Sequence, residues 1–264
     1  MADFTAKDVQ RLRQATGAGM MDCKKALTEN DGDFDRARKW LREQGLTKAG
    51  DRSARPNTQG AIAVSTTGNV AAIAELKSET DFVAKSEQFT SLVQEIATLV
   101  AVKGEDAAEE KADAIDDLKV VLKENIALGQ VVRLEAGEAH VVDTYIHRQD
   151  GRGVNAVAVE LAGGTPELAH EIAVHIAFSR PAYLRREEVP EAEMAEERQT
   201  LENITRTEGK PEAAMEKIVT GRLNGWLKER VLLEQPYVKD EKQTINQVLG
   251  DASIVRFAQV AIGG

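Results

Sequence analysis

The fold of this chain is decided by one sequence pattern that occurs twice, as Val70-Ala-Ala-Ile-Ala-Glu-Leu76 and as Asn155-Ala-Val-Ala-Val-Glu-Leu161. Both segments combine β-branched residues with alanines, and β-branched residues favour strands. A turn that contains glycine and a further apolar stretch precede each segment. We therefore predict two β-hairpins, over residues 61–76 and 140–161.

A helix is predicted after each hairpin, over 87–102 and over 165–178. The first helix has apolar residues at the 3.6-residue spacing of a helix that lies on a sheet: Phe89, Leu92, Val93, Ile96 and Val100. Both helices contain the tripeptide Glu-Ile-Ala, at 95–97 and at 171–173. The core is therefore predicted to be α+β, in two halves related by an internal repeat: residues 59–139, and residues 140–189 with 232–264.

The connection from the second strand to the helix is longer in the first half. Eighteen residues separate Leu76 from Glu95, whereas nine separate Leu161 from Glu171. The first half therefore has nine extra residues, and these include Ser78-Glu79-Thr80-Asp81-Phe82-Val83-Ala84-Lys85. A long connection with an apolar residue at its centre is a candidate functional protrusion.

Residues 1–45 are predicted to form a small head of three short helices. Thr5 and Asp8 fit a capping box at the start of the first helix, and Gly17 and Gly19 break the chain before the second. Gly45 fits a stop at the end of the third helix. The aperiodic stretch that follows, residues 46–58, is predicted to be a linker.

Residues 190–231 are predicted to form an antiparallel helical hairpin, because Gly209-Lys210-Pro211 ends one helix and begins another. Two sets of apolar residues mark its arms: Met194, Leu201 and Ile204 on the first, and Met215, Ile218, Val219, Trp226 and Leu227 on the second. A last strand around residues 254–260 is expected to join the second half. The acidic stretch at 104–117 is predicted to be a solvated helix or loop.

Composition excludes several classes of function. The net charge of −10 over 264 residues argues against nucleic-acid binding and against a polybasic membrane anchor. The single cysteine, Cys23, cannot form an internal disulfide, and it is predicted to be packed in the head. No apolar run is long enough to span a bilayer. We therefore expect a cytoplasmic protein.

The sequence contains no recognisable catalytic or metal site. It has no phosphate-binding GxxxxGK[ST] loop, and Gly17-Ala18-Gly19 follows a helix rather than a strand. His170 and His175 are five residues apart, whereas a zinc-protease helix needs a spacing of four. Both histidines are predicted to be ordinary surface or interface residues. We expect no cofactor and no enzymatic chemistry.

Two segments resemble the elongation factor Ts family. The first, Thr16-Gly-Ala-Gly-Met-Met-Asp-Cys-Lys-Lys-Ala-Leu27, is similar to the N-terminal signature of that family, and Thr80-Asp-Phe-Val-Ala84 is similar to its second signature. The first match is long and specific, and the second is short but lies where the family has it. The resemblance extends over essentially the whole chain. It implies a UBA-like head and a coiled-coil hairpin.

The resemblance also implies a partner, elongation factor Tu, in its GDP-bound and nucleotide-free states. The chain would then be a guanine nucleotide exchange factor, in which Thr80, Asp81, Phe82 and Val83 disturb the magnesium site of the partner. Phe82 would enter an apolar pocket, and Asp81 would contact polar groups beside it. In the head, the residues implied to bind the nucleotide domain are Arg13, Met20 and Met21. The second half of the core and the hairpin would hold the other domains of the partner.

The sequence departs from the family pattern at two places. Lys77 and Ser78 stand before the second signature, where the family has Asn-Cys. Some members continue into a further C-terminal helix that docks on the partner, and because this chain ends at Gly264 that contact is expected to be missing.

Several alternatives remain open from the residues alone. Phe82 and Met21 could be core residues, Arg13 could be solvated, and the hairpin could be an arm for oligomerisation. A homodimer or a two-plus-two complex with the partner is possible. As a whole, the chain could instead be a ubiquitin-associated-type adaptor, or an enzyme with a site in the two-part core.

Overall fold

The computed structural model describes the backbone of residues 4–50 and 52–263, and their side chains except for those of 46–50. Three helices form the head: α1 (Ala6–Thr16), α2 (Met20–Glu29) and α3 (Phe34–Gly50). The first half of the core consists of β1 (Gln59–Thr67), β2 (Val70–Ser78), α4 (Asp81–Ala84), α5 (Glu87–Lys103), a 3-10 helix (Glu105–Lys111), α6 (Ala112–Leu122) and β3 (Ala127–Glu135).

The second half of the core surrounds the helical hairpin in the sequence. It begins with β4 (His140–Gln149), β5 (Arg152–Ala162) and α7 (Pro166–Ser179). The hairpin follows, as α8 (Glu191–Thr207) and α9 (Glu212–Arg230). The chain then returns to the core with β6 (Pro236–Tyr237), β7 (Asp240–Thr244), α10 (Ile245–Leu249) and β8 (Ser253–Ala261).

Within the described residues, six strands form one antiparallel sheet in the order β3-β2-β1-β5-β4, and β8 also pairs with β5. The two halves meet in this sheet at a single residue pair, Ile62 opposite Gly153. A Cβ atom on Gly153 would lie 2.3 Å from the carbonyl oxygen of Ile62, so only glycine allows the two strands to approach so closely. The two predicted hairpins and the returning last strand are therefore present and belong to one sheet. The predicted helices follow the hairpins as α5 and α7.

Successive side chains of a strand point to opposite faces of the sheet, and the apolar side chains on these faces form three layers. Residues of β1 and β2 on one face pack against α5, around the fully buried Phe89. Residues of β5 on one face pack against α7 in the same way. The opposite faces of the two halves pack against each other through a shared layer: Ile62, Ala71, Ile73 and Leu134 from the first half, and Ala156, Ala158 and Val260 from the second.

Two buried glutamates occupy equivalent positions of the repeat. Glu75 accepts a hydrogen bond from the backbone N–H of Gln130 at 2.9 Å, and Glu160 accepts one from Gly137 at 2.9 Å. Burial acts to raise the pKa of Glu160, but hydrogen bonds from His140, Gly137 and Arg256 outweigh it and hold that pKa below its usual value. Each glutamate therefore ties its strand to the loop or strand alongside.

The head is a compact three-helix unit with its own apolar core. Thr5 and Asp8 form the predicted capping box, and Gly17 ends α1 in the left-handed conformation. Cys23 is buried as predicted, and burial raises the pKa of its thiol. The core of the head comprises Val9, Leu12, Cys23, Ala26, Leu27, Ala37 and Leu41.

The predicted end of the third helix is wrong, because α3 continues through Gly45 to Gly50. The first five residues of the predicted 46–58 linker are therefore helical. Gly45 lies against α6, where an added Cβ atom would come within 2.6 Å of Val120. Glycine at this position permits a close approach of two helices and does not end the helix.

The head is docked on the core through α6. The guanidinium of Arg42 pairs with Asp113 at 2.6 Å and with Asp117 at 3.3 Å. The acidic stretch 104–117 was predicted to be solvated, yet Ala107, Ala108 and Ile115 within it are buried. Its apolar side therefore belongs to the core, and its acidic side holds the head.

The hairpin packs its two helices antiparallel. The buried residues of α9 at its centre are Met215, Val219, Leu223 and Leu227. Ion pairs cross from one arm to the other, between Arg198 and Glu216 at 2.7 Å and between Arg222 and Glu208 at 2.7 Å. Ile204, one of the three apolar residues that mark the first arm, is exposed. The coiled-coil character of this hairpin remains a prediction.

The prediction for the two histidines is right for His170 and wrong for His175. His170 is exposed and contacts Asp143 at 2.8 Å. His175 is fully buried, and its Nε2 lies 2.9 Å from Oε1 of Gln235, in the segment that follows the hairpin. The helix α7 is thus covered on both sides, by the sheet and by the returning chain, which a local sequence pattern does not reveal.

We predict that His175 makes the stability of the protein depend on pH. Burial lowers the pKa of His175, so the unfolded chain binds a proton first as the pH falls. The contribution of His175 is fully present above the unfolded pKa of about 6.5 and is lost as the pH falls below it, by no more than about 1.4 kcal/mol per pH unit. Urea unfolding between about pH 7.5 and about pH 5.5 should therefore show a steeper loss in the wild type than in His175→Gln. Equal slopes would contradict this assignment.

Candidate functional site

The extra connection of the first half forms a single helical turn, α4, that presents Phe82 to solvent. Thr80 begins the turn, and its side chain accepts a hydrogen bond from the backbone N–H of Val83 at 3.3 Å. Ala84 is fully buried in the apolar cluster under α5, and Val83 packs against the same cluster. Phe82 points away from that cluster and is 82% exposed. It is therefore not a core residue, which was the alternative left open by the sequence.

The base of the turn is held by Glu124, which precedes β3. Its carboxylate accepts hydrogen bonds from the backbone N–H groups of Glu79, at 3.0 Å, and Thr80, at 3.1 Å, and from the Thr80 hydroxyl. Glu79 in return accepts a bond from the backbone N–H of Asn125 at 2.7 Å. These reciprocal bonds fix the entry into α4 from a segment that lies far away in the sequence.

Ser78, one of the two departures from the family pattern, is fully buried at this base. Its hydroxyl donates a hydrogen bond to the carbonyl oxygen of Thr80 at 3.0 Å. The other departure, Lys77, is partly exposed and lies 3.9 Å from Glu75. A buried hydroxyl with a partner has no unmet desolvation cost. The base of the turn is therefore well packed with serine at this position.

The charges beside Phe82 form a short chain that joins the two halves of the core. Nζ of Lys85 lies 2.6 Å from Oδ2 of Asp81 and 3.1 Å from Oδ2 of Asp150, in the turn between β4 and β5. The hydrogen bond from Lys85 lowers the pKa of Asp81, and the same bond raises the pKa of Lys85. Asp81 therefore already has a cationic partner in the free protein.

The sequence pattern identifies Asp81 as a site residue but gives no role to Lys85, Asp150 or Glu124. The four-residue spacing of Asp81 and Lys85 in a short helix was an available signal for their ion pair. No comparable signal marks Asp150 or Glu124, because both come from segments that only the folded chain brings to the turn.

The head presents a second set of exposed residues at the junction of α1 and α2. Arg13 lies in the last turn of α1 and is exposed, and Met20 and Met21 are the first residues of α2. The two methionines are 51% and 73% exposed. Met21 is therefore not a core residue either. The described side chains that hold the turn around α4 belong to Glu124, Lys85 and Asp150, and none of these lies in the head.

Large exposed apolar side chains are few in the described part of the chain, and three of them belong to the predicted site. The full set is Met20, Met21, Phe82, Val102, Phe178, Ile204 and Val255. Single exposed apolar residues are ordinary. The placement of a phenylalanine at the tip of a turn anchored on every other side indicates a contact surface.

Residues 4–50 and 52–263 contain no cluster of three or more His, Cys, Asp or Glu that could hold a metal ion. A helix both long and apolar enough to cross a membrane is likewise absent from these residues. The turn itself presents one exposed apolar side chain, Phe82, beside a lysine that bridges two carboxylates.

Comparison with known proteins adds a family. The family described as Elongation factor TS matches residues 79–264. The chain is 44% identical to elongation factor Ts of Acidothermus cellulolyticus, over all of this chain and 99% of that protein. It is 43% identical to elongation factor Ts of Clavibacter michiganensis, over the whole of both chains, and 42% identical to that of Mycobacterium ulcerans, over all of this chain and 99% of the other.

We predict that Glu124→Ala loosens the turn while the rest of the fold stays intact. The substitution removes the acceptor of the Glu79 and Thr80 N–H groups, so those two amides should exchange with deuterium at least about tenfold faster. Glu110→Ala, which removes an exposed ion pair with Lys103, serves as a control and should leave both amides unchanged. Unchanged exchange in Glu124→Ala would show that the clamp does not hold the turn.

Proposed function

Because the chain belongs to the elongation factor Ts family, we propose that it promotes the release of GDP from elongation factor Tu, so that GTP can be loaded during translation elongation. The observation that carries this proposal is the exposure of Phe82 on an anchored turn, within the segment that resembles the second signature of the family. A rigid base and an exposed apolar tip suit a side chain that enters a pocket of a partner.

In this proposal, Phe82 enters an apolar pocket between helices of the partner, and Thr80, Asp81 and Val83 place it there. Burying one phenylalanine contributes roughly 1.5–3 kcal/mol. If this free energy stabilises the complex from which GDP leaves, it accelerates release by roughly 10- to 150-fold. Further contacts are needed for a larger acceleration.

The factor is proposed to weaken the binding of the magnesium ion in the partner. Magnesium requires near-ideal octahedral oxygen geometry, so a small shift of the elements that hold it weakens its binding and that of the phosphates it bridges. Linkage then works in both directions, because a factor that weakens nucleotide binding is itself weakened to the same extent by nucleotide. Fresh GTP can therefore displace the factor.

The head supplies a second proposed contact. Arg13, Met20 and Met21 lie at the exposed junction of α1 and α2, where two flexible apolar side chains and a guanidinium can adapt to the nucleotide domain of the partner. The second half of the core and the hairpin are proposed to hold the remaining domains. An alternative role of the hairpin is to join two copies into a homodimer or a two-plus-two complex.

The central test is the release of fluorescent GDP from elongation factor Tu in a stopped-flow instrument. At a saturating concentration of factor, Phe82→Ala should slow release at least about tenfold, because the variant lacks the apolar group that enters the partner. Val102→Ala is the control, since Val102 is 65% exposed but lies near the end of α5, outside the elements proposed to contact the partner. It should leave the saturated rate within about twofold.

Equal rates for Phe82→Ala and the wild type would remove Phe82 from the mechanism. If the wild type does not accelerate release, the exchange function is contradicted. The alternative that the chain is a ubiquitin-associated-type adaptor is then favoured.

We further predict that deletion of residues 1–50 weakens association with the partner while the core still unfolds cooperatively. The deletion ends after α3 because that helix continues to Gly50. Some loss of stability is expected, since Arg42 no longer pairs with α6. A titration of the truncated protein against the partner should then give a higher apparent Kd. A separate unfolding experiment on the truncated protein should still show a single transition. Loss of that transition would show that the core depends on the head.

A further inference from the structure

Lys85 lies between two carboxylates that belong to different halves of the core. Its Nζ is 2.6 Å from Asp81, in its own helical turn, and 3.1 Å from Asp150, in the turn between β4 and β5. The same Nζ lies 6.0 Å from the centre of the Phe82 ring. The ion pair with Asp150 is thus a direct link from the turn that carries Phe82 to the second half.

Asp150 is well placed to act as a fixed anchor. It occupies the left-handed conformation, with a φ of 52°, and is followed by Gly151 with a φ of 82°. Next to them, the buried guanidinium of Arg152 donates hydrogen bonds to the carbonyl oxygen of Gly60 and to Oε1 of Gln59. These bonds tie the turn between β4 and β5 to the start of β1.

The helix α4 needs such anchors because it has only four residues. An isolated helix of that length is unstable in water. Glu124 fixes its N-terminal side, and Val83 and Ala84 fix its apolar side. The C-terminal side is fixed by Lys85, whose backbone N–H also donates to the carbonyl oxygen of Asp81 at 3.0 Å.

We propose that Lys85 and Asp150 are positioning residues for nucleotide exchange, which hold the turn in the orientation that presents Phe82 to the partner. The inference rests on the proposed exchange function and adds to it a role for the second half of the core. Neither residue needs to touch the partner. Each partly exposed ion pair is expected to alter the rate by roughly twofold to fivefold.

Three variants test this role in the stopped-flow assay with saturating factor. Lys85→Met removes both ion pairs, Asp150→Asn removes only the link between the halves, and Lys85→Arg keeps a cation. Asparagine tolerates the left-handed conformation as aspartate does, so Asp150→Asn preserves the turn. Release should be slowed roughly threefold to tenfold by Lys85→Met and roughly twofold to fivefold by Asp150→Asn, and Lys85→Arg should stay within about twofold of the wild type.

The pair of Lys111 and Glu95 provides matched controls. It has a length of 2.7 Å, and its lysine and glutamate side chains are 30% and 58% exposed, against 30% and 59% for Lys85 and Asp150. Lys111→Met and Glu95→Gln should therefore leave the rate of release unchanged. A loss in these controls equal to that in the test variants would mean a general effect of charge, and would overturn the proposal.

A double variant separates positioning from simple loss of stability. If Lys85 and Asp150 act through Phe82, adding Asp150→Asn to Phe82→Ala should slow release no further. The backbone amide of Lys85 should exchange with deuterium faster in Asp150→Asn than in the wild type. Because salt screens the ion pair, about 1 M salt should reduce the difference in GDP release rate between the wild type and this variant. An additive loss in the double variant would overturn the proposal.

The outcomes also distinguish this inference from the proposed function. The positioning role alone is overturned if the wild type accelerates release and Phe82→Ala slows it, but the Lys85 and Asp150 variants release GDP at the wild-type rate. A wild type that does not accelerate release would overturn both. A Phe82→Ala variant with a normal rate would overturn the positioning role and the role of Phe82, and would leave the exchange function standing.

Discussion

The apolar layer shared by the two halves of the core is the contact on which the rest of the structure depends. It is built from small and β-branched residues of the repeated strands, with Ala71 and Ile73 on one side and Ala156 and Ala158 on the other. Because alanine side chains are short, the two faces approach closely, and at Gly153 the strands come into direct contact. This contact brings the turn at Asp150 next to Lys85. The geometry around Phe82 therefore follows from packing between segments far apart in the chain.

Local patterns in the sequence were sufficient for most of the fold. The repeated strands, the two helices that cover them and the capping box at Thr5 all depend on residues close together in the chain, where periodicity and hydrogen-bonding chemistry are informative. The errors have the opposite origin. Gly45 resembled a helix stop because its contact with Val120 on α6 was unknown, and His175 resembled a surface residue because the chain that covers it returns only after the hairpin.

In the candidate site, too, features that depend on residues close together in the chain were predicted, and those that depend on distant segments were not. The segment from Thr80 to Val83 was identified by its resemblance to a family signature and by the nine extra residues that contain it, and the structure adds that Phe82 is exposed while its neighbours are anchored. Glu124 and Asp150 were not predicted, since each acts across the fold on a turn from which it is distant in the sequence. A motif can thus be recognised from the sequence, whereas the residues that anchor it can be identified only from the tertiary structure.

The two halves of the core have connections of unequal length between the second strand and the helix. In the first half, α5 begins nine residues after β2 ends at Ser78, while in the second half α7 begins four residues after β5 ends at Ala162, so five of the nine extra residues lie in the connection and the others lengthen β2 and α5. The first half thus carries a protrusion between strand and helix, and the second half has a short connection at the same place. The Gly163-Gly164 link is too short for a helical turn such as α4, so the second half has no counterpart of the exposed Phe82 between β5 and α7.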